Sequence, residues 1–106
     1  MSTKTIVPGL AEAADSIRSR FDVDKILVFG SWATGEASEE SDIDLCILLN
    51  SRDERLLSIT RSIRLELFHR LNRSVDLIVY DKKTFQERRE AGGALETAIA
   101  REGVAV

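Results

Sequence analysis

Asp42 and Asp44 stand one residue apart in the run Ser41-Asp42-Ile43-Asp44-Leu45, which closes a segment that opens with Gly30-Ser31. In an extended chain successive side chains alternate faces, so the two carboxylates point the same way, with Cα atoms roughly 6.5 Å apart. Such a pair can hold divalent ions about 3.5–4 Å from one another, the arrangement used for in-line phosphoryl displacement. Gly30 follows the apolar run Ile26-Leu27-Val28-Phe29. Glycine suits a tight strand exit, and Ser31 leads into a helical turn whose free N–H groups suit a phosphate.

A third acid sits downstream. In Ser74 to Tyr80, Val75, Leu77 and Val79 take one face, while Asp76 shares the other with Ile78 and Tyr80. If that strand neighbours the first carboxylate strand, Asp76 joins Asp42 and Asp44. Three acids on one face raise each other's pKa unless a cation lies between them. Hard oxygen donors favour Mg2+, with Mn2+ as the substitute, over zinc.

These residues must be carried by a scaffold. Leu10, Ala13, Ala14, Ile17 and Phe21 recur at helical spacing, predicting a helix from Gly9 to about Arg20. Strands follow at Lys25–Phe29 and Asp42–Leu49, the second with Ile43, Leu45, Ile47 and Leu49 on its apolar face. A long helix is predicted over about Arg52–Leu71. Its stripe is Leu56, Ile59, Ile63, Leu67 and Leu71, widened by Leu57, Thr60 and Phe68. Asp81 caps a helix from Lys82 that carries Phe85; a last helix over Ala94–Arg101 turns Leu95, Ala98 and Ile99 inward. Val104 to Val106 forms a small edge strand or docks on a partner. Met1 to Pro8 reads as a lead-in.

The fold class expected is α+β: a small mixed sheet with helices covering one face and an open carboxylate cleft on the other, as a single domain over residues 1–106. The net charge of −3 argues against a protein that coats nucleic acid. Lys82-Lys83 and Arg88-Arg89 read as solvated helix faces. The single Cys46 allows no internal disulfide; with no signal-peptide core and no long apolar run, a cytoplasmic location is expected. Cys46 shares the face of Asp44 and reads as a small buried hydrophobe rather than a site residue. Asp22 and Asp24 read as turn formers, and Glu36, Glu39 and Glu40 as a solvated loop. His69 lacks companions for metal binding and reads as a helix-end or surface residue. Trp32 is ambiguous between a base-stacking platform, a partner contact and a cap on the core, the last favoured.

Taken together, Gly30, Ser31, Gly35, Ser41-Asp42-Ile43-Asp44-Leu45 and Val75-Asp76-Leu77 resemble the DNA polymerase beta-like nucleotidyltransferase superfamily, in particular its minimal nucleotidyltransferase domains. The ending, Ala91-Gly92-Gly93 and Arg101-Glu102-Gly103-Val104, also looks like the close of these domains. The resemblance implies Asp42, Asp44 and Asp76 as catalytic and Mg2+-holding residues, with two ions. It also implies Gly30 and Ser31 at the phosphates of ATP or another NTP, with Ser41 steadying the loop or a carboxylate. It further implies transfer of a nucleoside monophosphate to a hydroxyl of a partner, an all-helical HEPN protein, in a toxin–antitoxin pair. Two alternatives accompany it: transfer to a small-molecule hydroxyl, and a silent nucleotide-binding subunit that neutralises its partner by covering it. Many members carry basic residues after Gly-Ser, where this chain has Trp32, Ala33 and Thr34; that departure favours the silent subunit.

Overall fold

The computed structural model describes residues 7–38 and 40–106. The elements are α1 (Leu10–Arg20), β1 (Val23–Phe29), α2 (Ser31–Thr34), β2 (Ile43–Leu49), α3 (Leu56–Leu71), β3 (Val75–Asp81), α4 (Lys82–Glu90), α5 (Ala94–Glu102) and β4 (Val104–Ala105). The strands form one sheet in the order β3-β2-β1-β4. β1 runs antiparallel to both β2 and β4, while β2 and β3 are parallel. The mixed α+β class follows, and the short tail takes the edge-strand alternative: Val104 pairs with Val28 and Ala105 with Leu27. Parallel pairing of consecutive strands requires a long crossover, and α3 supplies it.

Period-two alternation on β2 builds both faces. Ile43, Leu45, Ile47 and Leu49 join Ile26, Val28 and Leu77 in the main core, roofed by Leu10, Ala13, Ala14 and Ile17 of α1 and by Ile59, Ile63 and Leu67 of α3. Leu10, Ile63 and Leu67 are fully enclosed; cutting such a side chain to alanine costs about 2–5 kcal/mol. The opposite face is divided. Cys46, Leu48 and Tyr80 lie under Phe85 of α4 and Ile99 of α5 in a second cluster, so helices roof part of the carboxylate face as well, and only the other end of that face is open.

Three expected details differ. The long helix starts at Leu56, not Arg52, because the Asp53 side chain accepts the Arg55 N–H at 2.8 Å and ties the chain into a turn first. Leu57 and Phe68 do not widen the core stripe; they are 81% and 58% exposed, on the side of α3 turned away from the sheet. Leu95 likewise faces solvent while Glu96 is buried. Asp81 does cap α4, accepting the Thr84 N–H at 2.9 Å. Most of the lead-in, Met1 to Ile6, lies outside the described residues.

Candidate active site

Asp44 and Asp76 occupy the same register position on neighbouring parallel strands, Asp44 facing Asp76 as Ile43 faces Val75 and Leu45 faces Leu77. Their side chains therefore leave the sheet together on the face opposite the main core. Asp42 is exposed at the mouth of β2, beside the point where the Ile43 N–H reaches across to the Ser74 carbonyl at 3.1 Å. All three sit at the end of the sheet that α4 and α5 leave bare.

Gly30 closes the site from the β1 side, where Phe29 pairs with Asp44. Its φ of +71° and ψ of −150° belong to a region that is essentially glycine's own. A Cβ there would overlap Asp44 Oδ2 and come within 3.2 Å of its Cγ. The backbone conformation favours glycine here, and a Cβ would in addition force the Asp44 carboxylate to move. Ser31 begins α2, in which the N–H groups of Ala33 and Thr34 fold back to the Gly30 carbonyl at 3.0 and 3.1 Å. The N–H groups of Ser31 and Trp32 are not used in closing that turn. Gly35, at φ +83°, ends it.

Ser41 holds the loop rather than a carboxylate: its Oγ accepts the Ser38 N–H at 2.9 Å, and its own N–H donates to the Ser38 carbonyl at 3.1 Å. Trp32 is 7% exposed, packs in the main core and donates Nε1–H to the Ser41 carbonyl at 3.2 Å. The core-capping reading of Trp32 holds, and the indole fixes the loop that delivers Asp42. Cys46 is buried and its thiol is pushed up to about 12, by burial and then by Glu96, so it stays a protonated hydrophobe. Glu36, Glu40 and His69 are exposed; Glu39 lies outside the described residues.

Asp44 sits among like charges. Asp44 is held above the usual carboxylate range, first by burial, then by the charge and hydrogen bonding of Asp76 and the charge of Asp42. Among the described residues no three His, Cys, Asp or Glu side chains converge on a single ion position. Asp44 and Asp76 make the close pair, and the charge of the exposed Asp42 reaches Asp44. A set of carboxylate oxygens that repel each other suits a hard divalent cation. A pocket of about 350 Å3 lined by Arg20, Phe21, Asp22 and Leu49 lies at the far end of β2, away from these acids.

Two residues escaped the sequence reading. Glu96, 7% exposed, accepts a short hydrogen bond from the Tyr80 hydroxyl, and burial together with that bond pushes the phenol up to about 12. Its signal was there: Glu96 and Ile99 share a helix face by three-residue spacing. Arg73 stacks over Trp32 at 5.2 Å, with Nη1 buried and without a hydrogen-bond partner among the described residues.

The nucleotidyltransferase domain family matches residues 10–99. A protein adenylyltransferase, MntA, of Thermococcus cleftensis is 38% identical over 65 residues, 59% of this chain. The aligned part covers 62% of that relative, less than two thirds of its length. A solved structure assigned as a minimal nucleotidyltransferase superposes with a TM-score of 0.69 at 28% identity, covering 100% of this chain and 97% of its own. A toxin–antitoxin structure with AMP-PNP shares the fold, with a TM-score of 0.63 at 20% identity over 89% of this chain and 69% of that one. Among the described residues no helix is long and apolar enough to cross a membrane. Fold, acid pair and family match agree, and the chain belongs to the nucleotidyltransferase domain family.

Proposed function

We propose that this domain transfers a nucleoside monophosphate, AMP from ATP, to a hydroxyl on a partner protein, as the antitoxin of a pair whose toxin is a helical HEPN protein. The observation that carries the reading is the in-register pair Asp44 and Asp76 at the open end of the sheet, with Gly30 leaving room beside it. The relative named as a protein adenylyltransferase and the toxin–antitoxin neighbour with AMP-PNP support the nucleotide, the protein acceptor and the pairing.

Asp42, Asp44 and Asp76 are the residues to hold Mg2+, two ions by the family's pattern. When bound, the metal neutralises the triphosphate and lowers the pKa of the acceptor hydroxyl. Gly30 lets a phosphate approach the backbone without a side chain in the way, and Ser31, with the N–H groups that do not close the α2 turn, orients it. The acceptor oxygen attacks the α-phosphorus in line with the departing oxygen. The new P–O bond forms as the bond to the β-phosphate oxygen breaks, pyrophosphate leaves, and the hydroxyl proton passes to the Asp76 carboxylate. Ser41 and Trp32 act at one remove, by fixing the loop before Asp42. Such a domain works in the cytoplasm, where ATP is plentiful.

Incubation with α-labelled ATP, Mg2+ and the protein encoded beside it tests this. Label should appear on that neighbour and vanish with Asp44→Asn or Asp76→Asn. A second reading, a silent subunit that covers its partner, draws on one observation: Trp32, Ala33 and Thr34 bring no cation to the phosphate turn. Stable binding of the neighbour without label, unchanged by those substitutions, selects it. Transfer to a small-molecule hydroxyl is selected instead by label in the small-molecule fraction alone.

A further inference from the structure

The outer face of α3 carries a surface that the transfer chemistry does not use. Leu57, Leu65 and Phe68 are 81%, 53% and 58% exposed, and Arg61 and Arg64 are exposed among them. At 100° per residue these five lie on the side of α3 opposite Ile59, Ile63 and Leu67, which anchor the helix in the core. From Leu57 to Phe68 the stripe runs roughly 16 Å, about three turns. At its C-terminal end a groove of about 300 Å3 opens between α3 and β3, lined by Arg64, Phe68, Asn72, Arg73, Ser74 and Val75. Neither stripe nor groove contains an acid, although the chain as a whole carries a net charge of −3. Arg61, Arg64 and Arg73 have no carboxylate partner among the described residues, as is also true of Arg52, Arg88 and Arg89 elsewhere, while Arg18, Arg20, Arg55 and Arg70 are paired.

We propose that this face docks an amphipathic helix of a partner protein, with apolar side chains along its seam and Asp or Glu on its flanks. The inference goes beyond the transfer reading and does not depend on it. Apolar side chains grouped on one helix face are the anchors of helix-in-groove recognition. The segregated arginines select the sign of the flanking charge, since carboxylates find bidentate donors there and ammonium groups meet repulsion. A second copy of this chain is the wrong occupant. Two-fold packing of α3 against itself would set Arg61 and Arg64 against their own copies. A flat anionic membrane suits the charge, but not the concave groove beside Phe68, which fits an inserted side chain.

The probe is a synthetic helix of about eighteen residues with a leucine seam and glutamate flanks, beside a counterpart with lysine flanks. Binding to the whole chain is read by fluorescence anisotropy at about 50 and 300 mM salt. The glutamate peptide should bind at least about tenfold tighter than the lysine peptide, and the gap should narrow at high salt. Leu57→Ser with Phe68→Ser should weaken it about tenfold or more, and Arg64→Glu should reverse the preference. Since these side chains are exposed, the variants should keep the parent's circular dichroism and melting temperature. Asp44→Asn should bind the peptide unchanged, so loss of transfer and loss of docking are separately visible. Equal binding of the two peptides, no binding of either, or binding indifferent to the α3 variants overturns the proposal. So does a concentration-dependent dimer that Phe68→Ser abolishes, or binding to phosphatidylserine vesicles with none to the glutamate peptide.

Discussion

Two carboxylates of this molecule, Asp44 and Glu66, are each drawn into a cluster, and the clusters have opposite character. Glu66, on α3, meets the Ser16 hydroxyl, Arg20 at 2.7 Å and Arg70 at 3.2 Å. Burial pushes its pKa up, but those three donors outweigh burial and hold it below its ordinary value. Asp44 has the burial without such donors among the described residues; its charged neighbours are Asp76 and Asp42, and its pKa is raised. The Glu66 cluster pins α1 to α3, so its charges are balanced from within the chain. The Asp44 cluster is left unbalanced next to a glycine that keeps the space clear, which is what a site built to receive a cation requires.

The largest expected effect lies at the acid pair. Asp44→Asn or Asp76→Asn should lower transfer by about 10³-fold or more, measured as label incorporated per unit time. Glu66→Gln should leave transfer within about twofold, because it touches only the helix pair. Equal losses in the two clusters would erase the distinction.

Gly30→Ala should come next, destabilising the fold by about 1–3 kcal/mol, from a positive φ and an overlap with Asp44, and should be read by urea unfolding. Removing the overlap with Asp44→Gly should recover part of that loss in the double variant. Additive losses would show that backbone conformation alone requires the glycine.

Stability against pH should then separate the clusters by sign. The folded-state pKa of Glu66 is depressed, so its contribution is present above the unfolded value of 4.5 and is lost as pH falls through the lower folded value. Asp44 is the reverse: its folded pKa is raised, so the cluster is best tolerated below the unfolded value of 3.8 and weighs on the metal-free fold once pH exceeds the raised value. At neutral pH Glu66→Gln should lower the melting temperature, and Asp44→Asn should raise it or leave it unchanged. A lower melting temperature for Asp44→Asn would refute the view of Asp44 as a strained acid.

The smallest effect expected is a rise of a few degrees in melting temperature on adding Mg2+ well above its dissociation constant. Asp44→Asn should abolish the rise, and Glu66→Gln should preserve it.

The sequence showed much of this because alternation is local. Asp44 and Asp76 are assigned to one face by counting residues along an extended chain. What was not legible depends on contacts distant in sequence. Glu66 could not be singled out, since Ser16 and Arg20 come from another helix. The roof of α4 and α5 over Cys46 depends on where those helices land. Leu57 and Phe68 differ for another reason: apolar character does not imply burial, and their angular positions on α3 fall away from Ile63. The start of α3 depends on Asp53 acting as a turn acceptor, which helical spacing does not reveal.

The parallel register of β2 and β3 carries a last consequence, for timing. Asp44 and Asp76 meet only after α3 has folded back and the later strand has zipped alongside the earlier one. A slip of one residue would turn Asp76 toward the oily side and dismantle the pair. A chain still emerging from the ribosome with β3 unsynthesised therefore lacks the Asp44–Asp76 pair on which the proposed transfer depends.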